Sequence, residues 1–213
     1  SPQSVDLLVF VTQTPDYRLP ATACILQDRL HLPKSCAVFD VNQGCTGYVY
    51  GLWIASSLLS ASDAKRAIIL VGDTITKIVS PADRSTALLF GDAGTATALE
   101  KKDGSKPFYF SFGTDGSGAD HLIVPAGGFR KRCSPETAKQ SIREAGNSRS
   151  DEDLYMNGAE VFAFTLRELP RFMASIFEYA QISIENLDFV IPHQANRSIL
   201  KYLCTSAHIP EQR

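Results

Sequence analysis

Two features that mark particular protein classes are missing from this sequence: an excess of one charge and a long apolar run. The 21 Lys and Arg residues face 23 Asp and Glu residues, and the net charge at pH 7 is -2. This balance offers no electrostatic attraction for nucleic acid or for an anionic membrane. The most apolar stretch, 47–59, contains two serines and is shorter than the roughly 20 residues that span a bilayer. We therefore expect neither a nucleic acid nor a membrane as a partner.

Cysteine pairs are also missing. The five cysteines are odd in number and form no Cys-x-x-Cys motif, so the sequence predicts neither a disulfide framework nor a metal site. Free thiols are typical of a reducing compartment, and we expect the protein to act in the cytoplasm. With 44% hydrophobic and 21% charged residues, the composition is that of an ordinary globular domain.

Short apolar runs alternate with helical patterns through the first half of the chain. This order predicts an α/β domain built on a largely parallel sheet. The predicted strands and helices of this half are strands 6–11, 37–41, 67–72 and 95–100 and helices 22–30 and 46–60. The second helix is apolar nearly all the way round, so we expect it to be buried on every side.

The second half follows a polar, turn-like segment, and we predict two domains, 1–103 and 104–213. Its predicted strands are 108–113, 121–124 and 187–191, and its predicted helices are 158–180, kinked at Pro170, and 194–206. Residues 129–153 are rich in Arg, Lys, Ser and Glu and poor in apolar side chains. That composition is typical of an exposed, disordered excursion.

Cys45 lies in Gln-Gly-Cys-Thr-Gly at 43–47, directly after a predicted strand and directly before the apolar helix. A nucleophile on such a strand-to-helix turn is exposed, and its small neighbours let a substrate carbonyl approach closely. The start of the helix supplies N–H groups and positive potential, which lower the pKa of a thiol and can hold an oxyanion. Free cysteines are also often buried structural residues, so the local pattern leaves a reactive and a structural Cys45 open.

His193 occupies the same kind of junction in the second half. It follows the predicted strand 187–191 within Pro-His-Gln-Ala-Asn at 192–196, and a predicted helix comes next. A lone histidine is most often structural. Two such junctions favour a site, because ligands of open α/β sheets bind outside the carboxyl ends of the strands.

Five motifs together point to a known family. They are Gln-Gly-Cys-Thr-Gly at 43–47, Asp-Arg-Ser-Thr at 83–86, Leu-Phe-Gly-Asp-Ala-Gly-Thr at 89–95, Met-Asn-Gly-Ala-Glu-Val-Phe at 156–162 and Pro-His-Gln-Ala-Asn at 192–196. With Thr-Gln-Thr-Pro-Asp at 12–16 before them, they resemble β-ketoacyl-acyl carrier protein synthase III across nearly the whole chain. The resemblance implies a thiolase-like fold, with two similar α/β halves in a layered α-β-α-β-α arrangement.

The resemblance also implies a reaction, a decarboxylative condensation in fatty-acid or polyketide-type synthesis. The family residue that matches Cys45 takes an acyl group from acyl-CoA as a thioester. Malonyl-acyl carrier protein then loses CO2, and its carbanion attacks that thioester. The residue that matches His193 donates a hydrogen bond to the developing enolate oxygen. No cofactor is implied beyond the coenzyme A thioester that serves as substrate.

Further roles follow from the same resemblance. Arg84 matches a residue that contacts the adenine of coenzyme A, although a solvated surface charge is the ordinary alternative, and Asn196 is expected near the active site. Leu19 matches a position that reaches across a homodimer, although a core leucine is the ordinary alternative. Arg197 and Lys201 would meet an acidic carrier protein or form a solvated helix face.

The sequence also departs from the family pattern. A third catalytic residue, an asparagine in a Gly-Asn-Thr-Ser-like loop, is expected after the helix that follows His193, and the sequence contains no match there. Gly-Asn-Ser at 146–148 looks similar but precedes His193, so we interpret it as an unrelated loop. The opening strand and helix of the first half are also missing. We therefore expect a fragment that cannot complete the condensation by itself.

Two other functions stay open at this point. The same fold can transfer an acyl group to an oxygen, nitrogen or small-molecule acceptor without decarboxylation. The chain can also be a non-catalytic subunit that pairs with an active partner. The presence of Cys45 and His193 argues against that second alternative.

Overall fold

A four-stranded sheet organises the first part of the chain. The computed structural model describes residues 1–210. The first three strands of the sheet and the two helices between them are β1 (Leu7–Val11), α1 (Thr22–Arg29), β2 (Ala37–Val41), α2 (Gly47–Ala61) and β3 (Arg66–Asp73). The fourth strand is β4 (Ala93–Glu100). The strand order is β2-β1-β3-β4, with β1 parallel to β2 and β3 and with β4 antiparallel to β3. The predicted α/β class is confirmed, and so are the four predicted strands and both helices.

The central strand β1 explains why two helices cover this sheet. Alternate residues of a strand point to opposite faces, and β1 is apolar on both. One face carries a core cluster made with α2 and β3, to which Leu7, Val9 and Val11 contribute. The other face carries a cluster around Leu8 and Ala23, the latter on α1. A strand that is buried on both faces is typical of a parallel sheet between helices.

The helix α2 buries one side only, so the prediction of burial on every side is wrong. Its buried residues repeat at helical spacing and are Gly47, Gly51, Ala55 and Leu59. Tyr48, Val49, Trp53 and Leu58 are each at least 40% exposed. β1 and β3 of the sheet lie against this helix, and apolar composition alone does not show how many layers cover a helix.

The second unit contains two long helices and several short strand pairs. Its remaining elements are β5 (Leu122–Ile123), β6 (Ser141–Ile142), β7 (Ser148–Arg149), β8 (Tyr155–Met156), α3 (Gly158–Ala180) and α4 (Arg197–Ser206). β5 pairs with β8, and β6 pairs with β7, both antiparallel. Helix α3 continues through Pro170, and Asn157 caps its start by accepting the Glu160 N–H at 3.2 Å.

Two predicted strands of the second half are wrong. Residues 108–113 and 187–191 form no strand, and Phe189 and Ile191 are 73% and 88% exposed. A strand requires a neighbouring backbone to complete its hydrogen bonds, and among residues 1–210 no strand pairs with either run. An aromatic or apolar run is therefore insufficient for a strand here.

Most of residues 129–146 are exposed, as predicted for the excursion at 129–153, but the predicted disorder of this segment is wrong. This segment forms the β6–β7 hairpin and buries Thr137, Arg149 and Ser150. Hydrogen bonds, in place of apolar contacts, hold this segment in a defined structure. The Thr137 hydroxyl, for example, lies 2.5 Å from the Glu152 carboxylate.

By contacts, the chain divides into one unit of residues 1–77 and 91–107 and a second of residues 78–90 and 108 onward. The second unit thus includes 78–90, which the predicted boundary at 103/104 assigns to the first domain. The predicted pair of similar halves stays a prediction. Within the described range, no helix combines the length and the hydropathy that crossing a membrane demands.

Candidate active site

Cys45 lies at the turn between β2 and α2, as the sequence predicts. Its side chain is exposed and forms no disulfide. The N-cap residue of α2 is Thr46, and no side chain caps the helix. The start of an uncapped helix carries backbone N–H groups and partial positive charge that can meet an anion. The side chain is thus not buried as a core cysteine would be, and the reactivity of Cys45 stays a prediction.

Small residues on both sides of Cys45 let the helix approach the sheet. A Cβ atom added at Gly47 would overlap the Val11 side chain of β1. One added at Gly44 would lie 2.6 Å from Oε1 of Gln13. The glycines therefore allow both the close packing of α2 on β1 and the contact of the 43–47 turn with the loop that follows β1.

Asp73, a residue that sequence reasoning missed, anchors that loop. It ends β3, and its Oδ1 accepts the Thr12 hydroxyl at 2.9 Å, the Gln13 N–H at 2.6 Å and the Thr14 N–H at 3.1 Å. The position of Asp73 at the end of a predicted strand could have indicated it. Because β1, β2 and β3 are parallel, their carboxyl ends lie at one edge of the sheet. Asp73 and Cys45 both lie at that edge.

The pKa of the Cys45 thiol lies above its ordinary value. Desolvation of the thiolate by the surrounding protein is the main cause, and the negative charge of Asp73 adds to it, while a hydrogen bond with the backbone of Cys45 opposes both. The prediction of a lowered pKa is therefore wrong. Desolvation and the nearby carboxylate both disfavour the thiolate of Cys45.

His193 and Asn196 lie in the second unit, both in the segment directly before α4. Both are exposed, and no strand precedes His193. Asn196 is the N-cap of α4, and its Oδ1 accepts the Ile199 N–H at 2.9 Å. The Asn196 carbonyl also accepts the Leu200 N–H at 3.2 Å, so the contacts given for this residue are those of a helix start. The predicted roles of both residues in a site stay predictions.

Arg84 is exposed and lies beside a buried ion pair. Its neighbour Asp83 is 0% exposed and pairs with Arg149 at 3.0 Å. Burial by itself would raise the pKa of Asp83, but hydrogen bonds from Ser85 and Arg149 outweigh it and lower that pKa. Sequence reasoning missed Arg149 because it lies in a segment whose composition indicates disorder. Within residues 1–210, no three metal-binding side chains gather as a metal site requires.

Known proteins resemble this chain in sequence and in fold. The profile of the family 3-oxoacyl-[acyl-carrier-protein (ACP)] synthase III matches residues 39–116. A putative 3-oxoacyl-[acyl-carrier-protein] synthase 3 of Campylobacter jejuni is 36% identical over 91% of this chain and 54% of its own length. A β-ketoacyl-[acyl-carrier-protein] synthase III of Clostridium perfringens is 34% identical over 100% of this chain and 63% of its own length.

Solved structures give the same result. A crystal structure of a 3-oxoacyl-(acyl-carrier-protein) synthase III matches 99% of this chain and 63% of its own with a TM-score of 0.95 and 44% identity. A 3-oxoacyl-(acyl-carrier protein) synthase from Burkholderia xenovorans matches 100% of this chain and 59% of its own with a TM-score of 0.86 and 46% identity. This chain thus spans about three-fifths of these relatives.

The fold is thiolase-like α/β, as the motifs predicted. Its sheet places an exposed cysteine at the start of an uncapped helix. In sequence and in fold, the chain is similar to the 3-oxoacyl-[acyl-carrier-protein] synthase III family.

Proposed function

We propose that the protein containing this chain is a condensing acyltransferase that joins an acyl-CoA primer to malonyl-acyl carrier protein. The observation that carries the proposal is the exposed Cys45 thiol at the uncapped start of α2, in a chain matched along nearly its whole length by proteins named as these synthases. Fatty-acid or polyketide-type synthesis is the setting in which such a condensation serves.

The first step loads the enzyme. The sulfur of Cys45 attacks the acyl-CoA carbonyl, the carbon–sulfur bond to coenzyme A breaks, and the proton of the Cys45 thiol passes to the departing coenzyme A thiolate. The N–H groups at the start of α2 are suited to the oxyanion formed during this attack. An acyl-cysteine thioester remains.

The second step forms the carbon–carbon bond. Malonyl-acyl carrier protein loses CO2, and the electron pair of the broken bond becomes an enolate. His193 is proposed to donate a hydrogen bond to that enolate oxygen. The carbanion attacks the acyl-cysteine and releases the Cys45 thiolate, which regains a proton. Since decarboxylation itself supplies the carbanion, we propose no metal or redox cofactor.

The partners follow from the same proposal. Arg84 would contact the adenine of coenzyme A, and Asn196 would lie near the active site. Arg197 and Lys201 are exposed on α4 and carry positive charge that suits an acidic carrier protein. Leu19 is 82% exposed, which supports a homodimer contact rather than a core position. We also propose that the reaction takes place in the cytoplasm. Cell fractionation should then recover the protein in the cytoplasmic fraction.

Intact-mass measurement of the full-length protein tests the proposal. Wild type is incubated with acetyl-CoA, isobutyryl-CoA and octanoyl-CoA, and we expect one acyl adduct with at least one of them. The Cys45→Ala variant should form none, while the Cys24→Ala control, which removes another exposed thiol, should be labelled like wild type.

Adding malonyl-acyl carrier protein to the acylated protein should release CO2 and remove the adduct. An adduct that is lost without CO2 release would instead indicate simple acyl transfer. Absence of any adduct with the whole panel would contradict the coenzyme A-primed reaction, and a non-catalytic subunit would then be the better interpretation.

A further inference from the structure

The segment that carries Arg84 is held by a hairpin far away in the sequence. β6 and β7 form this hairpin, and its turn is closed where the Arg143 N–H donates to the Asn147 carbonyl at 2.7 Å. No catalytic step described above uses any residue of the hairpin. The hairpin nevertheless forms hydrogen bonds and an ion pair with residues 80–84.

Three hydrogen bonds attach the hairpin to residues 80–84. The Ser148 N–H donates to the Ala82 carbonyl at 3.1 Å, and the Ser80 hydroxyl donates to the Ser148 carbonyl at 2.7 Å. The Arg84 N–H itself donates to Oδ1 of Asn147 at 3.0 Å. The loop at 146–148, which we interpret as unrelated to the asparagine motif of the family, thus holds the backbone of Arg84 through Asn147.

A buried ion pair holds the adjacent residue. Arg149 is 7% exposed and Asp83 is 0% exposed, and their nitrogen and oxygen lie 3.0 Å apart. A second nitrogen of Arg149 lies 3.1 Å from Glu144, and its guanidinium carbon lies 4.6 Å from the centroid of the Tyr155 ring. Arg149 is therefore fixed from several directions, and it fixes Asp83 in turn.

We propose that Asn147 and Arg149 are positioning residues that hold Arg84 ready for the nucleotide portion of coenzyme A. The inference rests on the proposed function, in which Arg84 contacts the adenine. A cation whose backbone is fixed before binding loses less conformational freedom when the ligand arrives, so affinity rises. The hairpin thus serves recognition of coenzyme A and leaves the reacting thioester to other residues.

A pantetheine thioester separates these two roles, since it carries the acyl group but lacks the nucleotide. KM and the maximal rate of Cys45 acylation are measured in the full-length protein with the acyl-CoA that labels wild type and with the pantetheine thioester of the same acyl group. Asn147→Ala should raise KM for the acyl-CoA about five- to tenfold, the effect of one lost hydrogen bond. Its maximal rate and its KM for the pantetheine thioester should change less than about twofold.

A matched control is Asn186→Ala. The Asn186 side chain also accepts a backbone N–H, that of Ser183 at 3.2 Å, in a different turn of the second unit. This variant should show no selective change in KM. Arg149→Lys retains the positive charge and should weaken acyl-CoA binding less than Arg149→Met, whose folding is checked by thermal melting.

The outcomes are distinct. Equal changes for both donors, or no change in a folded Asn147→Ala protein, would overturn this inference alone, because wild type is still acylated. Failure of wild-type Cys45 to accept any acyl group would overturn the proposed function and this inference with it.

Discussion

The thiol of Cys45 and the carboxylate of Asp73 together set the reactivity of the candidate site. The pKa of Cys45 is raised, first by desolvation and then by the charge of Asp73. Since the thiolate is the nucleophile, the raised pKa disfavours the reactive form of the residue. The rate of any reaction of Cys45 should therefore increase with pH across the neutral range.

The Asp73→Asn substitution should shift this pH dependence. It removes the negative charge while Asn keeps an oxygen that can accept the bonds from Thr12, Gln13 and Thr14. Because the charge disfavours the thiolate, the pKa of Cys45 should fall and its alkylation by iodoacetamide at pH 7 should become severalfold faster. Mass spectrometry of the peptide that contains Cys45, across a pH series, measures the effect.

A second carboxylate in the same unit provides the control for that experiment. Asp92 accepts the Thr76 N–H at 2.9 Å, and it is not among the groups that shift the pKa of Cys45. Asp92→Asn should leave the alkylation profile of Cys45 in place. A profile that moves equally in both variants would show that Asp73 has no specific effect on the thiol.

At the scale of elements, the contact between α2 and the sheet depends on glycine. Gly47→Ala would force a Cβ atom into the Val11 side chain, and overpacking of this kind costs about 1–3 kcal/mol. We expect the free energy of unfolding, measured with urea, to fall by that amount. Acylation of Cys45 should also slow, because the helix start would move away from β1.

Gly94→Ala is the matched control for Gly47→Ala. Gly94 lies on β4 of the same unit, and a Cβ atom there meets nothing within 4 Å. Its stability should remain within about 0.5 kcal/mol of wild type. Equal destabilisation by both substitutions would mean that close packing at Gly47 is not the cause.

The elements differ in how well local sequence predicts them. β1 through β4, α1 and α2 agree with the predicted segments because their apolar patterns and their pairing partners lie within one unit. Residues 108–113 and 187–191 have strand-like sequence and form no strand, because pairing depends on a second backbone. Likewise α2 is apolar on nearly every side, but this pattern does not predict how many layers of structure cover the helix.

At the scale of the whole molecule, acid stability should depend on the buried pair of Asp83 and Arg149. The folded state lowers the pKa of Asp83, so the stability that the pair contributes is present above the ordinary aspartate pKa and is lost as pH falls through the lowered value. The free energy of unfolding should be nearly constant between about pH 7 and pH 5 and should fall below about pH 4.

Asp83→Asn tests this assignment. Breaking a buried pair leaves Arg149 without its charge partner, so stability at pH 7 should decrease by about 3–5 kcal/mol and its further loss in acid should be shallower. Asp120→Asn, a change of an exposed aspartate in the same unit, should reproduce the wild-type profile. If the stability of Asp83→Asn fell in acid as steeply as that of wild type, the pair would not be the cause of the acid dependence. Chemical denaturation at several pH values measures all three proteins.

The sequence by itself determined the elements of the first unit, the place of Cys45 between a strand and a helix, and the resemblance to the synthase III family, since each depends on neighbouring residues or on motifs in order. Only the tertiary structure decided the surroundings of Cys45 and Arg84. Asp73 meets Gln13 across 60 positions of the chain, and Arg149 meets Asp83 across 66. Local patterns carry no record of such contacts, because the folding of distant segments onto one another creates them.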